Sequence, residues 1–190
     1  MGVPLIRRLL LAGLTAVGFG VLWSVAKGNA GGVRAAAGNL SAPWVILPLL
    51  GGALTARAKL VLGALVGLAM TLIALSAFYF TNAFVLDLGP HSSLADIHLT
   101  MHAVGDIWFR YGVLSGLAFG AGGAWIAGRS SLGTVGAVVA VLLVGEPVAL
   151  LAWHQIGGLG FTPDPAVSTV EVGVGIALAA GLFLRHRQHD

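Results

Sequence analysis

The stretch LGTVGAVVAVLLVGEPVALLAW, Leu132 to Trp153, decides the fold class. It is long and apolar enough to cross a bilayer, which takes about 20 mostly apolar residues. Glu146 is its one charged-type residue, and Pro147 follows directly, marking a local break in the helix. An ionised carboxylate at the bilayer centre costs about 2.5 kcal/mol or more. Glu146 must therefore be neutral, paired or facing a protein cavity. A buried, protonated Glu can also give its proton away. The bland alternative is a structural hydrogen bond to another helix.

The rest of the chain agrees with this reading. Of its 190 residues 57% are hydrophobic and 9% are charged, against about 25% charged in a soluble domain. Such a composition leaves no room for a separate soluble domain, so residues 1–190 read as one integral membrane domain. Cysteine is absent, which excludes disulfides and thiolate metal sites. The basic residues form no block and do not alternate with aromatics, so nucleic acid is not an expected partner.

Six apolar runs are candidate spans: Leu5–Ala26, Pro43–Ala56, Leu60–Val85, Ile107–Gly128, Leu132–Gln155 and Thr169–Leu184. The expected fold is all-α, a polytopic membrane helix bundle of about six transmembrane helices. The number falls to five if the first is cleaved or the second is re-entrant. The second is short and carries Pro48 and Gly51-Gly52, so it reads as a re-entrant or broken segment as well as a span. Arg7-Arg8, an apolar run and Ala35-Ala36-Ala37 imitate a signal peptide, but the apolar run is too long and an uncleaved first helix is expected.

Lys/Arg bias sets orientation. Arg7, Arg8, Arg57, Lys59, Arg129, Arg185 and Arg187 fall on one side, with Lys27, Arg34 and Arg110 on the other. Both termini are then cytoplasmic, in a multi-pass protein of the cell membrane whose surroundings are the lipid bilayer. Glycines recur every four residues at Gly63/Gly67 and Gly112/Gly116/Gly120. Such small-residue faces let membrane helices approach closely, here within one bundle.

Polar and aromatic residues crowd one side. Asp87, Asp96, Asp106, Glu146, Asp164 and Glu171 map to the outer half or mid-membrane, with His91, His98, His102 and His154. Eleven aromatics map outward, Trp44, Phe78, Tyr79, Trp108, Tyr111 and Trp153 among them, and four do not. An aromatic belt would enrich both interfaces, so the excess suggests an outward-opening pocket, with a belt plus solvated loops as the alternative. Candidate binding residues are Trp44, Phe78, Tyr79, Asn82, Trp108, Tyr111, Trp153 and His154. His98, His102, Asp106 and Arg110 are spaced four apart and form one helical stripe. That stripe reads as a hydrated interfacial face, as an acid–histidine unit lining the pocket, or as a metal site. No second histidine pair follows, and neither a metal nor another cofactor is expected. The candidate catalytic residues are Glu146, Asp106 and His102.

A carboxylic acid in an aromatic-lined, dry cavity suits carbocation chemistry, because the acid protonates an alkene or epoxide and aromatic faces stabilise the cation. Gly38 to Trp44 (GNLSAPW), Gly51 to Leu54 (GGAL) and Phe119 to Trp125 (FGAGGAW) resemble segments of small uncharacterised actinobacterial integral membrane proteins. In size and hydrophobicity the chain is also similar to the very small membrane-bound bacterial terpene cyclases. That resemblance implies an isomerase- or lyase-type enzyme of terpenoid biosynthesis, a meroterpenoid cyclase that protonates a lipophilic prenylated substrate. None of that family's catalytic residues is carried over to this chain. The alternative is a substrate-capture or transport subunit with an outward aromatic pocket, whose Ala12 and Ala16 would contact a membrane protein partner. A structural membrane subunit is a third reading.

Overall fold

The computed structural model describes residues 5–28, 32–38, 40–55, 59–83, 106–129, 132–155 and 164–187, with all their side chains except those of 35, 106, 132, 153–155, 186 and 187. These residues form seven helices and no strand: α1 Leu5–Lys27, α2 Val33–Gly38, α3 Ala42–Ala53, α4 Leu60–Thr81, α5 Asp106–Arg129, α6 Leu132–Gln155 and α7 Pro165–Arg187. The all-α class is as expected. Four segments are long and apolar enough to cross a membrane: Leu5–Lys27, Leu60–Thr81, Gly133–Ala152 and Pro165–Arg185. α5 is as long, at 24 residues, but its glycines dilute its hydropathy. Side chains such as Leu14 (70% exposed) and Val141 (69%) line the outside of the bundle. Lipid tolerates such a surface and water does not.

The second candidate span takes its short form rather than that of a full span. α3 has only 12 residues, so at a 1.5 Å rise it is about 18 Å long, too short for a hydrocarbon core of about 30 Å. Pro43 at its start needs no helical N–H, while buried Pro48 removes a donor from its middle. Thr55 closes it, with N–H at 2.9 Å and Oγ1 at 2.7 Å both donating to Gly52 O. The last span also starts earlier than Thr169. Asp164 Oδ1 accepts from Ala166 N at 2.9 Å and Val167 N at 3.2 Å, so α7 begins at Pro165 behind an aspartate cap.

Helix directions follow from the contacts. Gly20 of α1 lies on Ala74 and Ala77 of α4, so these two run in parallel with Ala12 and Ala16 beside Val66 and Met70. Arg8 Nη1 donates to Leu54 O at 3.2 Å, so α3 returns antiparallel to α1. Gly63 meets Ala124 while Gly112 meets Thr71 and Leu75, making α4 and α5 antiparallel. Leu49 of α3 packs with Val135 and Val139 low on α6, and Gly175 of α7 meets Ala140 and Val144 of α6. α3 therefore descends as α6 climbs, and α7 descends again.

The two glycine stripes face one another, a case of the close packing within one bundle that their spacing predicts. A Cβ on Gly67 would lie 2.5 Å from Gly116 O, and one on Gly120 2.5 Å from Gly63 O. Helices this close gain dispersion contacts along the backbone itself, which is how bundles hold together where burial from water no longer discriminates. Ala12 and Ala16, 3% and 0% exposed, are spent inside this core against Leu47, Val66, Met70 and Ala74. They are not a free face for a partner, which corrects that part of the capture-subunit expectation.

Candidate functional site

α1 ends at Gly28, whose φ of +56° is the left-handed conformation that closes a helix. Arg34 of α2 caps the freed carbonyls: Nη2 donates to Val25 O at 2.6 Å and Nε to Ala26 O at 3.0 Å. Gly38, at the end of α2, lies against the Lys27 side chain. Counting rises along α1 and α3 places the start of α3 about 10 Å short of the Lys27 end of α1.

A helix start below the surface brings unpaired N–H groups with it. Ser41 precedes α3 but its side chain makes no cap hydrogen bond. The acceptor comes from another helix instead. Ser41 N donates to Glu146 Oε1, and Ala42 N donates to Glu146 Oε2 at 2.5 Å. One carboxyl thus spans two adjacent donors at the positive end of a helix dipole, the favoured place for an anionic group. Glu146 lies 14 residues after the start of α6, and that climb of about 21 Å matches the height of α3.

A second carboxyl completes the site. Glu171 sits six residues into α7, about 9 Å below its start. It is 5% exposed and faces Glu146. Neither of its oxygens has a hydrogen-bond partner by geometry among the described residues. Glu146 and Glu171 come from two antiparallel helices and meet at one height. Glu171 was legible only as one of several outward acids. Applying to Val170-Glu171-Val172 the argument applied to Glu146 would have singled it out, since this acid also interrupts an apolar run.

The aromatic residues meet one another. Trp23 stacks on Phe19 at 5.4 Å between centroids, and Phe19 meets Trp44 edge-on at 5.1 Å. Trp44 meets Phe78 at 5.6 Å, Phe78 meets Tyr79 at 5.3 Å, and Tyr79 stacks on Phe109 at 5.9 Å. This ladder ties α1, α3, α4 and α5 together, each contact adding about 0.5–1.5 kcal/mol beyond its buried area. The Lys27 ammonium sits 5.6 Å from the Phe78 centroid at its upper edge. Trp44 lies two residues past Ala42, so the ladder abuts the carboxyl site. Trp44→Ala is expected to cost about 3 kcal/mol and to loosen α3, read as a lower thermal midpoint in detergent.

Of the expected binding residues, Trp44, Phe78 and Tyr79 join the ladder. Asn82 closes α4 just above it, with Oδ1 buried and unpartnered among the described residues. Trp108 and Tyr111 are 55% and 58% exposed and stand outside it. At about 100° per residue they point about 100° and 200° away from Phe109, which takes the inward place. Trp153 and His154 are on the last turn of α6, but their side chains lie outside the described residues, as does the side chain of Asp106 at the start of α5. His102 lies wholly outside them, with His98, so the stripe they form with Asp106 does too. Among the described residues no group of three or more His, Asp or Glu side chains is placed to hold a metal ion.

The site therefore consists of a helix N-terminus that stops short of the end of α1, a carboxyl that satisfies it, a second carboxyl with no hydrogen-bond partner among the described residues, and an aromatic wall. In comparisons with protein families, with curated proteins and with solved structures, no match to this chain is found.

Proposed function

We propose that this chain is a multi-pass protein of the cell membrane that binds and moves a small solute, with the start of α3 and the Glu146–Glu171 pair as its working centre. The observation that carries this reading is the half-length helix whose N-terminus stops about 10 Å short of the end of α1 and binds Glu146 across chain segments. Broken helices with their ends at membrane depth are how many transporters make polar sites in an apolar medium. Intramembrane carboxyls serve the same proteins as ion or proton relays. The helix directions put the start of α1 and the end of α7 on one side of the bundle, which fits both termini being cytoplasmic.

The second reading is the protonation-initiated cyclase acting on a lipophilic prenylated substrate. The position of Trp44 favours it, because Trp44 connects the carboxyl pair to a wall of rings able to stabilise a cation.

One comparison separates them. Vesicles carrying the chain are challenged with a panel of amino acids, nucleobases, monocarboxylates and B-vitamin-like compounds. At least one is expected to accumulate, at a rate at least tenfold lower in Glu146→Ala and unchanged in Arg8→Gln. If no compound accumulates, while co-expression with a prenyltransferase yields a cyclised product that Glu171→Gln abolishes, the cyclase reading replaces transport.

A further inference from the structure

The two carboxyls are not equivalent. Glu146 has two N–H donors, one on each oxygen. Glu171 has none among the described residues, although it is 5% exposed. An ionised carboxylate is an acceptor only, and leaving one buried without donors is among the most unfavourable arrangements in a protein. A carboxylic acid carries its own O–H, and the group it faces is the acceptor-rich Glu146. Two carboxylates side by side in an apolar medium repel, and such pairs elsewhere hold one proton between them.

Among the described side chains, no other charge on α7 or the helices packed against it supplies a substitute. α7 packs on α6 and α2. Glu146 is the one titratable side chain of α6 among the described side chains, and α3 carries none. Arg34 of α2 is committed to the carbonyls of Val25 and Ala26. On α7 itself Asp164 caps the helix start, and Arg185 lies at the opposite end.

We infer that Glu171 carries a single exchangeable proton which it shares with Glu146, so that the pair is a proton-binding site and the coupling ion of the centre is H⁺. On release the Glu171 O–H bond breaks, its electron pair stays on oxygen, and the proton passes to water or to the solute. The two carboxylates then repel, and the contact that gives way is the grip of Glu146 on the start of α3. Binding of the proton restores that grip. The inference rests on the proposed function for the use made of the proton, but the presence of the proton is measurable without any solute.

Infrared spectroscopy of the full chain in lipid at neutral pH tests it. The C=O stretch of a protonated carboxylic acid is expected, shifting when H₂O is replaced by D₂O. It should disappear in Glu171→Gln and persist in Asp164→Asn. Circular dichroism should show that Glu171→Gln, a neutral isostere, keeps its helices. If the band is absent from the wild-type chain, or survives Glu171→Gln, the assignment is overturned; survival there with loss in Glu146→Gln moves the proton to Glu146. A band present as expected with no solute movement in the vesicle assay leaves the proton site standing and removes the transport reading.

Discussion

Glu146→Ala should lower the stability of the folded chain by about 2–3 kcal/mol, because it leaves two backbone N–H groups at the start of α3 without an acceptor. An unsatisfied buried donor costs about 1–3 kcal/mol. Ala42 is buried and bears this in full, while Ser41 is exposed and bears less. Removing a carboxyl from beside Glu171 offsets part of the loss. Glu146→Gln keeps one acceptor but sets an NH₂ group against a backbone N–H, so it should fall between alanine and the wild type. Thermal unfolding in detergent gives the order. Hydrogen exchange at Ser41 and Ala42 locates it, since those amides should lose protection first in Glu146→Ala. Equal protection in variant and wild type would show that the carboxyl does not hold α3.

Gly123→Ala and Gly52→Ala should be at least as damaging, and the neighbouring Gly122→Ala harmless. A Cβ on Gly123 would lie 1.9 Å from Leu49 O, and one on Gly52 1.8 Å from Gly120 O. Both obstacles are backbone, so no side-chain rotation relieves them and the helices must part. Overpacking of this kind costs about 1–3 kcal/mol and sometimes more, and the upper end is expected here. Gly122 has nothing within 4 Å, so alanine there only replaces a weak helix former with a strong one, a gain of about 0.5–1 kcal/mol. Two adjacent residues of one helix thus give opposite signs, measurable as shifts in thermal midpoint. A midpoint for Gly123→Ala within error of the wild type would refute the close contact of α3 and α5.

Much of the bundle was legible because its causes are local. A run such as Leu60 to Thr81 excludes water-exposed structure by composition, and a glycine every fourth residue names the side on which two helices meet. The periodicity of Gly63/Gly67 and Gly112/Gly116/Gly120 marked two faces of close approach, and the structure sets them against each other. Ala12 and Ala16 show the limit of the same reasoning. The spacing marked a contact face, but nothing local says whether the face meets its own bundle or another chain, and here it meets Leu47 and Met70. Trp108 and Tyr111 show another limit, for a count of aromatics on one side carries no azimuth.

The candidate site divides along the same line. That Glu146 needed a partner followed from one apolar stretch and the cost of an ionised group in lipid. Which partner it has depends on where α3 begins, and that is set by Arg34 turning the chain at the end of α1 and by Pro43 and Pro48 shortening the helix that follows. The sequence by itself determined that this is a helical membrane protein with an acid that cannot stand alone inside it. The tertiary structure decided that Glu146 serves the start of α3 and that Glu171, 25 residues further on, is left beside it with no hydrogen-bond partner among the described residues. Transfer of a side chain into an apolar medium is a property of one residue and its neighbours in sequence, whereas hydrogen bonds between helices depend on the relative height and rotation of all of them.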